Sequence, residues 1–155
     1  MLVSEKTLRS LPVDHDLLIN WFHINLLEIQ SIHPQLKVAG FTTNTTPSSQ
    51  IVTDSSFIPD GIFAIRDTES SKALLFFLEV DMGTETTASP SRSPNDFRQK
   101  VHNYQNLFRI EKYKQCRKLS RSSFNGFRLL ILSNIHARHA TLCSLVQEMP
   151  PSNFI

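Results

Sequence analysis

Residues 57–81 read FIPDGIFAIRDTESSKALLFFLEVD, and this stretch decides the fold. It contains two apolar runs of β-strand length, at 57–66 and 72–81, separated by the polar segment 67–71, which fits a turn. The sequence therefore predicts a β-hairpin. The second run has Leu or Phe at each position from 74 to 78, so we expect it to be buried on both faces.

Carboxylates mark both strands of the predicted hairpin. Asp60 lies near the start of the first strand, and Glu79 and Asp81 lie on the second, where their spacing of two puts them on one face. Buried strands rarely carry charges without a partner, and adjacent strands are about 4.8 Å apart, so we expect these three carboxylates to converge. Mg²⁺ (or Mn²⁺) prefers such oxygen ligands. The sequence therefore predicts a metal site at Asp60, Glu79 and Asp81, with Glu85 just beyond the strand as a supporting residue.

The rest of the chain predicts helices around this hairpin. The other expected elements are a helix over 14–30 with Asp14 as N-cap, a strand over Leu36–Phe41, a long helix opening at Pro94 or Asn95, a buried strand over Phe127–Leu132 and a helix from Asn134 to about Glu148. Trp21 and the Phe residues are expected in the core. A hairpin followed by helix and strand predicts an α/β fold with a mixed β-sheet flanked by helices.

The long helix carries two residues that bear on the carboxylates. Phe97, Val101, Tyr104 and Phe108 form its apolar stripe, and Lys100 is the i−4 neighbour of Tyr104. Lys100 is therefore a candidate to reach the carboxylates, orient water or neutralise a phosphate, with Tyr104 supporting it. The alternative is a core tyrosine beside a lysine whose stem covers apolar surface.

Charge is distributed unevenly along the chain. Residues 1–91 hold 5 Lys/Arg and 11 Asp/Glu, whereas residues 92–128 hold 10 and 2. The basic segment is either a phosphate-facing surface beside a metal centre or a solvated helix face. Arg138 is a candidate phosphate contact or a surface residue. The predicted DNA-binding residues, all placed on the distal end of the long helix, are Arg109, Lys112, Lys114, Arg117, Lys118 and Arg121.

Size and composition exclude several classes. A chain of 155 residues predicts one domain, with 1–13 as an extension and 149–155 as a tail. Its 2 cysteines lack a CxxC spacing, and its 4 glycines form no phosphate-binding loop, which argues against disulfide scaffolds and nucleotide binding. No signal peptide is visible and the apolar runs are too short to cross a bilayer, so a cytoplasmic protein without membrane contact is expected.

These motifs resemble the PD-(D/E)xK nuclease superfamily, whose pattern is an Asp after Pro on one strand and Glu-x-Lys on the next. Pro59-Asp60 and Glu79 match it, while Asp81 stands where the pattern has Lys. Some branches carry the lysine on the following helix, and Lys100-x-x-x-Tyr104 is similar to that arrangement. The resemblance implies a restriction-endonuclease-like core in which Asp60, Glu79 and Lys100 are catalytic.

A closer resemblance is to the replication-relaxation family of bacterial mobile-element proteins, over about residues 14–147. It is carried by His15-Asp16-Leu17, Pro59-Asp60-Gly61, the segment from Phe77 to Glu85, and Lys100-x-x-x-Tyr104. It implies a divalent-metal-dependent DNA endonuclease-like domain acting in replication, transfer or defence of a mobile element, with DNA and other proteins of a complex as partners and a homodimer as one option. The alternatives are a catalytically inactive DNA-binding or assembly module on the same fold and a purely protein-interacting domain.

Overall fold

The computed structural model describes residues 12–43, 58–83 and 96–148. Glu85 and the predicted tail lie outside these ranges. So does most of the predicted extension and of the Ser/Thr-rich segments. In chain order the elements are α1 Pro12–Ile32, β1 Leu36–Thr43, β2 Gly61–Asp67, β3 Ala73–Asp81, α2 Phe97–Arg109, a 3₁₀ turn Lys112–Cys116, α3 Arg117–Ser120, β4 Phe127–Ser133 and α4 His136–Glu148.

The strands form one mixed sheet in the order β1-β2-β3-β4, which confirms the predicted α/β class. β1 pairs antiparallel with β2, β2 antiparallel with β3, and β3 parallel with β4. The predicted hairpin is therefore present at the centre of the sheet. Its register pairs Gly61 with Leu78, which brings Asp60, just before β2, beside the Glu79 end of β3.

The two faces of the hairpin hold separate layers of helix. On one face Phe63 stacks on Phe76 at 4.9 Å between ring centroids, and Phe22 of α1 packs against Phe63. On the other face Phe77 contacts Tyr104 of α2. Because Phe76 and Phe77 are adjacent in β3, their side chains point to opposite faces, and this explains why residues 73–78 of the strand are all apolar.

A glycine lets α3 approach the sheet. Gly40 has φ +66°, at the irregularity in β1 between Ala39 and Thr42. A Cβ atom there would lie 2.7 Å from the backbone oxygen of Leu119 in α3, which is closer than van der Waals contact allows. Only glycine satisfies both the left-handed backbone and this close approach.

Several expectations about the helices are wrong. α1 begins at Pro12, so Asp14 lies in its first turn instead of capping it. Trp21 is 62% exposed because it lies on the outer face of α1. α2 ends at Arg109, since Glu111 takes a left-handed conformation with φ 56° and the chain turns to bury Tyr113. The basic residues that follow therefore do not extend α2.

β4 is also less buried than expected. Of its seven residues only Phe127 is buried, and the others are half-buried or exposed. β4 is the last strand in the order of the sheet, and it has a neighbouring strand only on the β3 side. In the described part of the chain, no helix is long and apolar enough to cross a bilayer.

Phe77→Ala tests the packing of the two layers. Phe77 is fully buried against Tyr104 and Phe127, so its truncation should lower the free energy of unfolding by about 3 kcal/mol or more. Urea unfolding measures this. Leu74→Ala on the same strand is the control: Leu74 is 57% exposed, and its truncation should cost less than about 0.5 kcal/mol. Equal effects would contradict the assigned faces.

Candidate functional site

Polar side chains gather at the edge of the sheet where β3 and β4 end. The N-terminal parts of α1, α2 and α4 meet the sheet at the same edge. The strands supply carboxylates and the helices supply cationic or basic groups, so each carboxylate has a partner from a different helix. The residues are Asp60, Glu79, Asp81, His15, Lys100 and Arg138.

Asp60 is held by the hairpin itself. Its Oδ2 atom accepts a hydrogen bond from the backbone N–H of Val80 at 2.8 Å, across from the start of β2. His15 of α1 places its Nε2 atom 3.3 Å from the same oxygen. Asp60 is only 9% exposed, and these two contacts offset part of the free-energy cost of burying its carboxylate.

Glu79 is buried between two side chains of α2. Lys100 Nζ lies 3.1 Å from its Oε2 atom, and the hydroxyl of Tyr104 donates to its Oε1 atom at 2.5 Å. Lys100 and Tyr104 are one helical turn apart, so both reach the same carboxylate. The spacing predicted from the sequence thus brings Lys100, Tyr104 and Glu79 together.

Burial sets the proton affinity of this cluster. Glu79 is 2% exposed, and desolvation raises the pKa of its carboxyl from 4.5 to about 7, against the opposing effect of Lys100 and with help from the charge of Asp60. Burial and the neighbouring Glu79 raise the pKa of Tyr104 well above 10. The Glu79 carboxyl therefore holds its proton to a higher pH than an exposed glutamate does.

Asp81 is engaged by a different helix. Arg138 of α4 donates to Asp81 from Nε at 2.7 Å and from Nη2 at 3.3 Å, and the N–H of Gly83 donates to Asp81 Oδ1 at 3.1 Å. Within the described ranges, no three His, Cys, Asp or Glu side chains lie close enough together to hold a metal ion. Asp60 and Glu79 are thus the adjacent carboxylates, and Asp81 belongs to an ion pair with Arg138.

The basic segment does not lie on one helix. Lys114 is paired with Glu111 at 2.6 Å, and Arg121 lies beyond α3 in a left-handed conformation. The segment passes through the end of α2, a 3₁₀ turn and α3, so its residues do not share one helix face. The proposed DNA contacts of these residues therefore cannot follow one helix face.

Two contacts escaped prediction from the sequence. His15 belongs to a motif that marks the family resemblance, but nothing local in the sequence indicates that it faces Asp60. The sequence indicates a phosphate contact or a surface position for Arg138, whereas its partner is Asp81, 57 residues away in the chain. His136 and His139, three apart on α4, are both exposed.

A family model described as replication-relaxation matches residues 4–120, which is more than half of the chain. The match includes Asp60, Glu79, Lys100 and Tyr104 and ends before β4 and α4. Neither the search of curated proteins nor that of solved structures gives a significant match.

The pKa of Glu79 predicts a pH-dependent stability. A folded-state pKa of about 7 against 4.5 in the unfolded chain stabilises the fold below pH 4.5, and this contribution is lost as the pH rises to 7. The free energy of unfolding of the wild type, relative to Glu79→Gln, should fall by about 3 kcal/mol over that range. Urea unfolding at several pH values measures it. Glu69→Gln, at an exposed position of the hairpin turn, should follow the wild-type curve, and parallel curves for the wild type and Glu79→Gln would contradict the assignment.

The Asp81–Arg138 pair predicts that substitutions at the two positions have non-additive effects on the free energy of unfolding. Arg138→Met leaves a buried carboxylate without its cation and should cost about 3 kcal/mol of unfolding free energy. Adding Asp81→Leu should restore most of the loss, because the second change removes the uncompensated charge. Thermal or urea unfolding of both single variants and the double variant measures the coupling, and simple additivity would refute the pair.

Proposed function

This chain belongs to the replication-relaxation family, and on that premise we propose that it acts on DNA in the replication or transfer of a mobile element, as a divalent-metal-dependent endonuclease-like domain. The observation that carries the proposal is the meeting of Asp60, Glu79 and Lys100 at one edge of the sheet. Two neighbouring carboxylates can hold a divalent cation, and a lysine beside them can neutralise charge on a phosphate.

The donor set fits a hard cation. Asp60 and Glu79 offer carboxylate oxygens, and their mutual repulsion contributes to the raised pKa of Glu79. Mg²⁺ commonly takes one or two protein carboxylates and completes its shell with water and substrate phosphate, so two suffice. A cation bound here would lower the pKa of a coordinated water and stabilise charge on the phosphate. Asp60 and Glu79 are the proposed ligands, and Asp81, on the same face of β3 as Glu79, would assist them.

The protein's own side chains have separate tasks in this proposal. Lys100 carries the positive charge that can move from the Glu79 carboxylate to a phosphate oxygen. Tyr104 fixes the other Glu79 oxygen, which keeps the carboxylate oriented when Lys100 shifts. His15 holds Asp60 from the opposite face of the sheet.

A second candidate is a DNA-binding or assembly module without cleavage on the same fold. It is favoured by the environment of Glu79, whose two oxygens are both engaged and which is almost completely buried. The presence of Asp81 where the nuclease pattern has lysine points in the same direction. Contacts with other proteins of a replication or transfer complex, and a homodimer, remain proposals under either candidate.

Cleavage assays with metal separate the two candidates. In millimolar Mn²⁺ or Mg²⁺ we expect nicking of plasmid or single-stranded circular DNA, and a loss on the order of 100-fold or more in Asp60→Asn and Glu79→Gln, because each removes a charged ligand. Glu69→Gln is the matched control and should keep full activity. Calorimetric titration with Mn²⁺ should give weaker binding in the two site variants only.

Two outcomes of these assays would decide between the candidates. Cleavage that survives both site substitutions would overturn the endonuclease proposal. DNA binding without cleavage in the wild type, at any divalent ion concentration, would establish the second candidate.

A further inference from the structure

The outer face of α1 is apolar although it faces solvent. Leu17, Trp21 and Ile24, spaced four and three apart along one side of the helix, are 57%, 62% and 58% exposed. The buried residues Ile19 and Leu26 lie on the opposite side. Of the eleven large hydrophobic side chains that are exposed in the described part of the chain, six belong to this one helix. Such a patch marks an interaction surface, because a helix that is apolar on all sides is normally covered on all sides.

The sheet has a second apolar surface that is only partly covered, on the face that carries α1. Phe76 of β3 lies on this face, and the register of β3 with β4 puts Arg128 there as well. Four strands are about 19 Å wide and a helix about 10 Å, so α1 covers only part of the face, whereas α2 and α4 together pack on the opposite one. Leu74 is mostly exposed, Arg128 is exposed, and the two leucines of β4 on this face are half-buried. The Leu74 surface is defined here as Leu74, Arg128, Leu130 and Leu132.

These two surfaces carry opposite charge. The helix α1 contains no Lys or Arg and three acidic residues, which are Asp14, Asp16 and Glu28. Glu28 follows Ile24 by one turn, so it continues the exposed apolar stripe. On the Leu74 surface the charged groups are cations: Arg128 and the adjacent Lys72 are exposed, and with Leu74 they line a cavity of about 460 Å³. An acidic apolar helix and a basic apolar strand surface are therefore complementary.

This charge distribution favours a second copy of the chain as the partner. The acidic helix repels the phosphates of DNA and of anionic membranes, and it attracts an apolar surface that carries cations. Every copy of the chain carries such a surface around Leu74. When α1 of each copy lies on the Leu74 surface of the other, a two-fold axis relates the two contacts, so the same contact is made twice and the assembly closes as a dimer.

The available area is also sufficient for a dimer. With 21 residues α1 is about 32 Å long and 10 Å wide, so one of its faces covers roughly 300 Å² in projection. Each copy contributes one helix face and one sheet face, roughly 600 Å² in projection. A standard interface takes about 800 Å² of accessible surface from each partner, and accessible area exceeds projected area, so the two contacts together reach that size.

We propose that the chain forms a two-fold symmetric homodimer in which the outer face of α1 packs on the Leu74 surface of the second copy. The two α1 helices lie side by side between the two sheets, and each sheet gains a second helix on the face where α1 alone covers it only in part. The interface goes beyond the proposed function and uses neither the carboxylates Asp60 and Glu79 nor Lys100.

Sedimentation and the fluorescence of Trp21, the only tryptophan of the chain, test the dimer directly. Between about 0.1 and 100 μM, a range that brackets micromolar affinity, the protein should change from monomer to dimer. The emission of Trp21 should move to shorter wavelength over the same range, because its indole leaves water. Sedimentation as a monomer throughout would overturn the proposal, and so would a dimer in which the emission of Trp21 does not move.

Substitutions on either surface should weaken the dimer. Trp21→Gln/Ile24→Gln and Leu74→Gln should each raise the dissociation constant by about 100-fold or more, because an apolar anchor is lost twice in each symmetric dimer. The control is Ile110→Gln/Val146→Gln, which changes two exposed apolar residues outside both surfaces and should dimerise as the wild type does. Urea unfolding at about 0.1 μM, where the monomer predominates, should be alike in all of these proteins. An equal loss in the control, or no loss in Leu74→Gln, would refute the interface.

Mixing the two interface variants tests the reciprocal contact. A pair formed by one Trp21→Gln/Ile24→Gln chain and one Leu74→Gln chain has one contact with both surfaces intact, and both substitutions fall in the other contact. The mixture should therefore dimerise more tightly than either variant alone. If α1 packed on α1 of the second copy instead, mixing would restore nothing, and that result would overturn the assigned surfaces.

Failure of this interface and failure of the proposed function give different results. Glu79→Gln should dimerise as the wild type does, and Leu74→Gln should bind Mn²⁺ as the wild type does. Loss of the dimer in Glu79→Gln would overturn the assignment of the interface to α1 and the Leu74 surface, whereas absence of cleavage in the wild type would leave the sedimentation result as it stands.

Discussion

The carboxylate of Glu79, held between Lys100 and Tyr104, is the interaction on which the rest of the fold depends. A carboxylate buried this deeply costs several kcal/mol unless partners satisfy it, and here both partners come from α2. They fix the rotation of α2 on the sheet, so Tyr104 also enters the aromatic cluster with Phe77 and Phe127. The same contact thus orders the core and builds the candidate site, so the site lies beside the buried aromatic cluster.

Short periodicities in the sequence were enough to predict this centre. A spacing of two along a strand and of four along a helix placed Glu79, Lys100 and Tyr104, and the hairpin turn placed Asp60. Contacts between distant parts of the chain could not be predicted in this way: His15 reaches Asp60 across the sheet, and Arg138 reaches Asp81 from the last helix. These contacts depend on how whole elements pack, which no local pattern encodes.

Other errors had equally physical causes. The break after α2 occurs at Glu111, a residue without the conformational freedom of glycine, and it is imposed by the burial of Tyr113 and Cys116 beyond it. The net charge of a chain segment was likewise a poor guide to which charged side chains lie together on the surface. The basic segment gives Lys100 to the carboxylate end of the sheet, while Arg66 and Lys72, which lie at the other end, come from the acidic part of the chain.

Asp81 illustrates how the cations of this fold are distributed. Three carboxylates at one edge of a sheet repel each other, and the balance is restored by Lys100 and Arg138 from the first turns of α2 and α4. Cations near a helix N-terminus are unfavourable by themselves, so each helix gains from facing a strand carboxylate. A lysine at position 81 would leave Arg138 facing a like charge, and a neutral residue would leave Arg138 without its anion. The residues at 81 and 138 are therefore coupled, and a chain that keeps aspartate at 81 needs a cation on the helix that follows β4.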